Sequence, residues 1–274
     1  MRLLRLILPI LFVLSQVACH SSRIGSDSSP APMRLQRILE SGELRVGLSG
    51  NQPPLNMTNK NGEIVGLEVD LMNALAQSMG LTTRFVVKPF ADLIPAIERG
   101  EVDVVISGMT ITPERNARVA FVGPYFISGK SVLTKSEAIA SAESASLLNN
   151  ADHRYAVLAG STSETFVELM LPKAKSVPTP DYDTAVQMVL DDKVEAMVAD
   201  FPICHISVLR HPEAELSTLM TPFTIEPLGI ALPADDPLLV NLIDNYLNTL
   251  ENTGLLLQFK AKWFSDGSWI SELP

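Results

Sequence analysis

The sequence predicts an α/β protein in which two similar units each contain a mostly parallel β-sheet flanked by helices. From residue 33 onward, apolar runs of strand length alternate with longer segments of helical period. This alternation occurs over residues 33–106 and again from Tyr155, and the strand–helix–strand order favours parallel sheets. Polar residues follow the strands in both units, at the edge where open α/β sheets bind ligands. Two such units suggest one ligand bound between them.

The first unit is predicted from regularly alternating segments. They are helix 34–41, strand 44–48, helix 67–79, strand 83–87, helix 91–99 and strand 102–106. Gly42, Gly80 and Gly100 directly follow the three helices, and glycine is favoured just after a helix C-terminus. Together the segments predict a βαβαβ unit preceded by one helix.

The second unit begins at Tyr155 and repeats this order. It consists of strand 155–158, a helix that starts near Ser161, strand 175–177, helix 183–191 and strand 196–199. Ser161 and Glu164 have the spacing of a capping box, which provides partners for free N–H groups at a helix start. The second unit is therefore predicted to resemble the first.

A final segment contains a strand from Leu228 and a helix that Asp236-Pro237 opens and Gly254 closes. The adjacent acids Asp191-Asp192 and Asp235-Asp236 fall at a helix end and a helix start. We therefore expect all of these acids to face solvent.

Composition and charge narrow the range of functions. The chain has 274 residues, with 21 Lys and Arg against 31 Asp and Glu, so its formal charge is −10. Binding to a nucleic-acid backbone needs clustered Lys and Arg, and we expect no DNA or RNA partner. The two cysteines permit at most one disulfide and exclude a zinc site built from four cysteines.

Residues 1–18 have the pattern of an export signal. They contain two arginines, no acid and an apolar run from Leu3 to Val13. A membrane-spanning helix needs ~20 apolar residues, so this run is too short for a transmembrane anchor. We expect the segment to be removed and the protein to reach the periplasm.

Residues 19–32 are interpreted as a flexible tether, because serine and proline are frequent and the segment cannot build a core. Gln16-Val17-Ala18-Cys19 resembles the lipobox of bacterial lipoproteins, in which the cysteine is acylated and anchors the protein to a membrane. The lipobox favours leucine where Gln16 stands, so a soluble periplasmic product is the alternative. With lipid on Cys19, Cys204 has no partner and is interpreted as a small core residue.

Several catalytic signatures are missing from the sequence. The stretch Gly123–Ser131 looks like a phosphate-binding loop, but five residues separate its glycines where that motif has four. We interpret it as a turn followed by the start of a strand. No Gly-x-Ser-x-Gly elbow is present, and the histidines have no metal-ligand spacing. The sequence therefore predicts neither a metal site, nor a cofactor, nor histidine-based catalysis.

The segment from Ser107 to Arg115 is the most informative. A strand ends there in small polar residues, among them Ser107, Gly108 and Thr110, whose hydroxyl and backbone groups are free to bind a ligand. Thr112-Pro113 has the character of a helix start, and Arg115 lies within the first turn. An arginine there can direct two parallel N–H groups at a carboxylate, although such an arginine is more often a surface charge.

This segment, together with Gly123-Pro124-Tyr125, resembles the signature of the bacterial extracellular solute-binding proteins of family 3, the amino-acid receptors of ABC importers. The similarity spans residues 34–263 and includes motifs at 44–47, 66–71, 93–95 and 100–103. It implies a two-lobed periplasmic-binding-protein fold of type II, whose lobes are joined by two hinge strands and close on the ligand. By position, lobe 1 comprises 33–125 and 228–274, lobe 2 comprises 129–223, and the hinges lie near 125–129 and 224–228.

The resemblance also implies a binding site. The ligand α-carboxylate is expected to be held by Arg115, with help from Thr110, the Gly108 backbone and the helix start at Ser161 and Thr162. Asp200 corresponds to the acid that accepts from the α-ammonium; without the family it would be interpreted as a turn acid before Pro202. Enclosing a zwitterion removes much of its hydration, so each charge needs a charged partner.

Three residues of the first lobe are expected to select the ligand side chain. Phe90 matches a position that often supplies an apolar or aromatic wall, Gln52 one that is often a stacking aromatic, and Ser49 one that is acidic in relatives that bind basic amino acids. Because none of them adds a charge, we expect a neutral, polar or modest-sized L-amino acid. The implied partners are that amino acid and a membrane permease, and we expect a monomer without enzymatic activity.

An enzyme on the same scaffold is the main alternative. Cyclohexadienyl dehydratases are also similar, in residues 38–46 and in Thr253 before Gly254-Leu255-Leu256. Those enzymes expel hydroxide from prephenate or arogenate with a glutamate three residues after the aspartate that matches Asp200. Here that residue is Ile203, which cannot transfer a proton. A sensory or cell-wall role is a third hypothesis, and it would require a separate partner protein.

Overall fold

The computed structural model describes residues 33–265 and 267–273. The expected export signal (1–18), tether (19–32) and acylated Cys19 lie outside the described residues. From Met33 the chain forms one compact unit with two five-stranded α/β sheets, each flanked by helices. The two-lobed fold expected from the sequence is confirmed, and each lobe is named here for the sheet on which it is built. Among the helices of the described part, none has both the length and the apolar character needed to cross a membrane.

The first lobe contains the described chain up to Ser128. Its elements are α1 (Arg34–Ser41), β1 (Glu43–Leu48), β2 (Asn51–Gln52), β3 (Asn56–Thr58), β4 (Ile64–Val65), α2 (Leu67–Ser78), β5 (Thr82–Val87), α3 (Leu93–Glu98), β6 (Val104–Val105), α4 (Pro113–Asn116) and β7 (Ala120–Ser128). Strands β2, β3 and β4 form a small sheet of their own. A 3-10 turn, Phe90–Asp92, precedes α3.

The chain then builds the second lobe and returns. The second lobe contains β8 (Lys130–Thr134), α5 (Glu137–Ala140), β9 (Arg154–Leu158), α6 (Thr162–Met170), β10 (Lys175–Thr179), α7 (Tyr182–Leu190), β11 (Ala196–Asp200), α8 (Phe201–Arg210) and β12 (Ser217–Thr218). The returning elements are β13 (Glu226–Leu232), α9 (Pro237–Asn252) and α10 (Leu255–Phe264). Apolar residues of α9 and α10 share the core cluster of α1, α2 and the first sheet.

In each sheet four strands run in one direction and one strand is reversed. The first sheet has the order β5-β1-β6-β13-β7, with β13 antiparallel to both of its neighbours. The second has the order β10-β9-β11-β8-β12, with β8 antiparallel to both neighbours. In the parallel part of each sheet helices connect successive strands, and a crossover of this kind lets the next strand run in the same direction. The reversed strands are those that enter a sheet from the other lobe.

Element boundaries follow the predicted pattern with local differences. Helix α1 begins and ends at the predicted residues, and Gly42 after it has the left-handed φ of 70° that favours glycine. The strand predicted over 102–106 is reduced to the two residues of β6. The helix predicted over 91–99 is divided into the 3-10 turn and α3.

The stretch from Gly123 to Ser131, expected to contain a turn, is strand on both sides of Gly129. Strand β7 runs through Gly123-Pro124, and β8 begins at the next residue after Gly129. Beside them the pairing of β7 with β13 shifts register between Leu228 and Ile230. An irregularity of this kind accommodates a proline, which has no N–H for the ladder. The Gly-Pro pair is therefore not a turn signal here.

The two segments expected to be hinges pair with each other. Ser128 is opposite Glu226, and Phe126 is opposite Leu228. Only Gly129 separates β7 from β8, so the chain passes directly from one sheet to the other at this point. The lobe boundaries and the hinge motion stay predictions.

One apolar cluster contains residues of both lobes. Phe90 and Leu93 of the first lobe belong to the same cluster as Tyr182 and Ile203 of the second. Cys204, also in this cluster, is buried and free, and burial raises the pKa of its thiol to about 12. Its interpretation as a small core residue is confirmed.

Asp236 is buried, which corrects the expectation that it faces solvent. Its side chain caps α9, because Oδ1 accepts the Leu239 N–H at 3.0 Å. Oδ2 accepts the N–H of Leu35, in the first turn of α1, at 2.8 Å. One carboxylate thus provides partners for two helix starts that are distant in sequence. The other acids of the two pairs are exposed as expected: Asp191, Asp192 and Asp235.

Replacing Asp236 with alanine should lower the free energy of unfolding by about 2–4 kcal/mol, because two buried N–H donors lose their acceptor. Urea denaturation followed by circular dichroism measures the change. Asp235→Ala, at the exposed neighbouring residue, should alter stability by less than about 0.5 kcal/mol. Equal effects of the two substitutions would contradict the capping role.

Candidate functional site

Arg115 lies within α4, which starts as predicted after Thr112. The Thr112 hydroxyl oxygen accepts the Arg115 N–H at 3.2 Å, and Pro113 occupies the first helical position. The guanidinium donates from Nη1 to the Thr110 carbonyl at 2.9 Å and from Nη2 to the Gly160 carbonyl at 3.1 Å. Thr110 belongs to the first lobe and Gly160 to the second. The guanidinium therefore spans the boundary between the lobes.

An aromatic ring and two acids surround this guanidinium. Arg115 Cζ lies 5.5 Å from the centre of the Phe90 ring, within range of a cation–π interaction. Burial lowers the pKa of Arg115, and the negative charges of Asp200 and Glu226 oppose that shift. Arginine remains protonated in proteins. A permanent positive charge therefore lies against an aromatic side chain at the interlobe boundary.

A cavity of about 630 Å³ lies at this boundary. Four of the residues predicted from the sequence line it, namely Phe90, Arg115, Ser161 and Thr162. Its size is within the range of small-molecule sites. The other predicted residues lie outside this lining: Ser49, Gln52, Ser107, Gly108, Thr110 and Asp200.

Ser161 caps α6, as its spacing from Glu164 predicts. Its hydroxyl oxygen accepts from the N–H groups of Ser163 and Glu164 at 3.2 and 3.4 Å. The Glu164 carboxylate reaches back to the Gly160 N–H at 2.7 Å, one residue earlier than in a regular capping box. The Ser161 hydroxyl also donates to the Leu158 carbonyl at 2.6 Å. It therefore has backbone partners on both its donor and its acceptor side.

Ser49, Gln52 and Ser107 form a second group of predicted residues, and all three are buried. The Ser107 hydroxyl oxygen accepts the Ser49 N–H at 2.9 Å and the Gln52 side-chain N–H at 3.4 Å. A side chain on Gly108 would collide with Gln52, since a Cβ there would lie 2.2 Å from Gln52 Oε1. Gly108 also has a left-handed φ of 57°. This close approach explains the glycine.

The Gly108 N–H, expected to bind the ligand, donates instead to Glu68 at 2.7 Å. Glu68 is fully buried at the start of α2. The same oxygen, Oε1, accepts the Tyr125 hydroxyl, and Oε2 accepts the Asn56 amide at 2.5 Å. Asn56 in turn accepts the Gly50 N–H at 2.7 Å. One carboxylate therefore connects the loop after β1, the loop after β6 and strand β7.

Threonine hydroxyls form a second connection between the two lobes. Thr110 Oγ1 lies 3.2 Å from Thr162 Oγ1, and the Thr162 hydroxyl donates to Glu226 Oε2 at 3.3 Å. The other Glu226 oxygen accepts from the Thr224 hydroxyl at 2.9 Å. Thr110 and Thr162, both predicted site residues, are thus brought together, and they lead to an acid that the sequence did not indicate.

Asp200 ends β11 as predicted and already has a cationic partner within the protein. Lys130 Nζ donates to Asp200 Oδ1 at 2.5 Å and lies 3.7 Å from Glu226 Oε2. Burial raises the pKa of Asp200, and the charge of Lys130 opposes that shift. The acid expected to accept from a ligand ammonium is therefore one of two carboxylates that share one lysine.

Lys130, Glu226 and Glu68 are the polar residues that sequence reasoning missed. For two of these residues the sequence contains a signal of burial. Lys130 opens the otherwise uncharged strand Lys-Ser-Val-Leu-Thr, and Glu68 stands between Leu67 and Val69 in an apolar stretch. A charged residue within an apolar run is buried only when it is paired.

A family model named "Bacterial extracellular solute-binding proteins, family 3" matches residues 44–266. Cyclohexadienyl dehydratase of Pseudomonas aeruginosa is 28% identical over 247 residues, 90% of this chain and 92% of the relative. ABC transporter arginine-binding protein 1 of Escherichia coli is 26% identical over 225 residues, 81% of this chain and 90% of the relative. A probable histidine-binding protein of Neisseria gonorrhoeae is 26% identical and covers 81% of this chain and 82% of its own.

Two solved structures of binding proteins are also similar to this chain. An ancestral amino acid-binding protein, described as a precursor of cyclohexadienyl dehydratase, is 35% identical with a TM-score of 0.77, covering 84% of this chain and 99% of its own. A binding component of an ABC transporter from Wolinella succinogenes, complexed with lysine, is 32% identical with a TM-score of 0.80, covering 84% and 99%. These similarities extend over both lobes.

Glu68→Gln should remove a pH-dependent loss of stability. Burial raises the pKa of Glu68 from its ordinary value of 4.5, and the hydrogen bonds from Tyr125, Gly108 and Asn56 oppose the shift. The folded protein therefore keeps this proton to higher pH than the unfolded chain does. The free energy of unfolding should fall as pH rises between the two pKa values.

Urea denaturation of both proteins at a series of pH values upward from 4.5 tests this, since the effect is confined to the window between the unfolded and folded pKa values of Glu68. The stability of the wild type relative to Glu68→Gln should decline steadily over that window. Glu251→Gln, at an exposed residue of α9, is the control for the replacement of a glutamate outside the buried network. A constant difference between wild type and Glu68→Gln would contradict the raised pKa.

Proposed function

Because the chain belongs to the bacterial extracellular solute-binding proteins of family 3, we propose that it captures a small L-amino acid between its lobes and delivers it to the permease of an ABC importer. Relatives named for arginine and histidine binding support an amino-acid ligand. The family supports a periplasmic location, and we propose lipid on Cys19 as the membrane anchor. The lobes would close about the segments near 125–129 and 224–228.

The balance of charges at the interlobe boundary is the observation that supports a neutral side chain. Arg115 can hold the α-carboxylate, since its planar group presents parallel donors to two oxygens. Asp200 and Glu226 share Lys130, which leaves one negative charge for an α-ammonium. The bound zwitterion would then find one opposite charge at each end.

The three glutamates that line the cavity offer no enclosed partner to a basic side chain, because Glu114 and Glu168 are exposed and Glu164 accepts from the Gly160 N–H. Ser49 and Gln52 are neutral, and Glu68 is occupied by donors of the protein itself. An unpaired cation enclosed between lobes would lose its hydration without compensation. We therefore propose a neutral, polar or modest-sized L-amino acid, although relatives include arginine-binding proteins.

Arg115→Ala should weaken binding of the preferred amino acid by at least about thirtyfold, because the α-carboxylate loses its charge-assisted partner. Titration calorimetry with the twenty standard L-amino acids identifies that ligand and measures the loss. Arg118→Ala is the matched control, since Arg118 also lines the cavity but is paired with the exposed Glu98. We expect a change below about threefold for it, because exposed ion pairs contribute little. Equal losses in the two variants would contradict the role of Arg115.

The alternative function is that of a cyclohexadienyl dehydratase, and the similarity to that enzyme over nine-tenths of the chain favours it. The residue three positions after Asp200 argues against it. Ile203 is buried in the first turn of α8 and has no proton to transfer. A binding protein needs no such group.

Incubation of the purified protein with prephenate decides between the two functions. We expect no phenylpyruvate above the uncatalysed background, because no acid is present at residue 203. Ile203→Glu is the informative companion variant, since it places a carboxyl group at this position. Turnover by the unaltered protein would overturn the binding function.

A further inference from the structure

Lys130 is a buried lysine to which the family resemblance gave no role. Its side chain is 2% exposed, and every residue of β8 is buried. The Lys130 N–H donates to the Thr224 hydroxyl at 2.9 Å, and its carbonyl accepts the Phe223 N–H at 2.8 Å. The protein therefore holds this lysine in place through the segment that leads into β13.

Asp200 and Glu226 are both held by this one ammonium group. Among the ion pairs of the described residues, those of Asp200 and Glu226 are with Lys130 alone, at 2.5 and 3.7 Å. The Glu226 carboxylate also accepts from the hydroxyl of Thr162, which lines the cavity. The cluster thus lies behind the cavity wall and is connected to it by a hydrogen bond.

The cluster has a net charge of −1, since two carboxylates face one ammonium. Inside an enclosed cleft charges interact strongly, so the total charge matters as well as the individual contacts. The α-ammonium of an amino acid brings the sum to zero. A basic side chain would add a second positive charge for which no carboxylate of the cluster remains.

We propose that Lys130 is a specificity-determining residue, which excludes amino acids with cationic side chains by neutralising the carboxylate that they would need. The proposal rests on the proposed function, that the cleft binds an amino acid. Specificity of this kind is a difference between two affinities, and it can be set by denying one ligand its partner.

Lys130→Met removes the charge and keeps a side chain of similar length, which leaves the cluster at −2. Two neighbouring carboxylates without a cation repel each other, which favours uptake either of a proton or of a ligand that brings a second positive charge. In titration calorimetry, the affinity for L-lysine relative to the best-bound neutral amino acid should rise by at least about tenfold.

Two further variants separate charge from shape. Lys130→Arg keeps the charge and should keep the wild-type ratio of affinities. The double variant Lys130→Met/Asp200→Asn returns the cluster to −1 and should restore the preference for a neutral side chain. Lys135→Met is the control for removal of a positive charge elsewhere, because Lys135 pairs with the exposed Asp192 at the other end of β8. It should leave the ratio unchanged.

Glu226→Gln changes the net charge of the cluster in the opposite direction. It also tests the proposal if Lys130→Met does not fold. Here Lys130 and Asp200 balance each other and the cluster has no net charge. Discrimination against L-lysine should then increase by about tenfold relative to the wild type. The ratio of affinities should follow the net charge of the cluster across the whole series.

The outcomes distinguish this inference from the function on which it rests. A wild type that binds a neutral amino acid while the ratio stays constant across the charge variants overturns the role of Lys130 alone. A wild type that prefers L-lysine or L-arginine with Lys130 intact also overturns it. If the wild type binds none of the twenty amino acids, the proposed function fails and the inference fails with it.

Discussion

The pairing of β7 with β13 is the constraint on which the polar groups of both lobes depend. Strand β7 brings Tyr125 to Glu68, and the residue after Gly129 is Lys130. Strand β13 begins with Glu226, opposite Ser128. Strand β7 leads to the second sheet and β13 returns from it. These two strands therefore contain, or directly precede, charged residues of the cleft. A change in the path of either strand would alter the distances between those charges.

Burial of these charges explains why so many of them have internal partners. Glu68 accepts three hydrogen bonds, and Lys130 donates to Asp200. A buried ion that loses its partner destabilises the fold strongly, so such groups persist only in complete networks. The same property gives a binding protein a means to change its ligand. Substituting one member of a network alters the net charge of the cleft without requiring a new backbone.

Local patterns were sufficient for most elements and for the placement of Arg115, because each has a signal within a few residues. Gly42 marks the end of α1, Thr112 the start of α4, and Ser161 the start of α6. Lys130 and Asp200 are 70 residues apart, and Glu68 and Tyr125 are 57 apart. Pairs of this kind depend on which elements become neighbours within a lobe, as where β8 and β11 pair and place Lys130 opposite Asp200, and no local pattern contains that information. The Gly123-Pro124 misinterpretation has the same origin, since the register shift that accommodates the proline arises where β7 pairs with β13, a strand that is distant in sequence.

Asp236 joins the first turn of α1 to the start of α9 and so fastens the N-terminal end of the described chain to a second helix of the first lobe. A pull applied at Met33 is carried along the backbone of α1 into β1, and also through the hydrogen bond between Leu35 and Asp236 to α9. All three elements belong to the first lobe. If the N-terminal end of the described chain is attached to a surface, the first lobe acts as the fixed base. If the lobes close as proposed, the second lobe is then the part that moves.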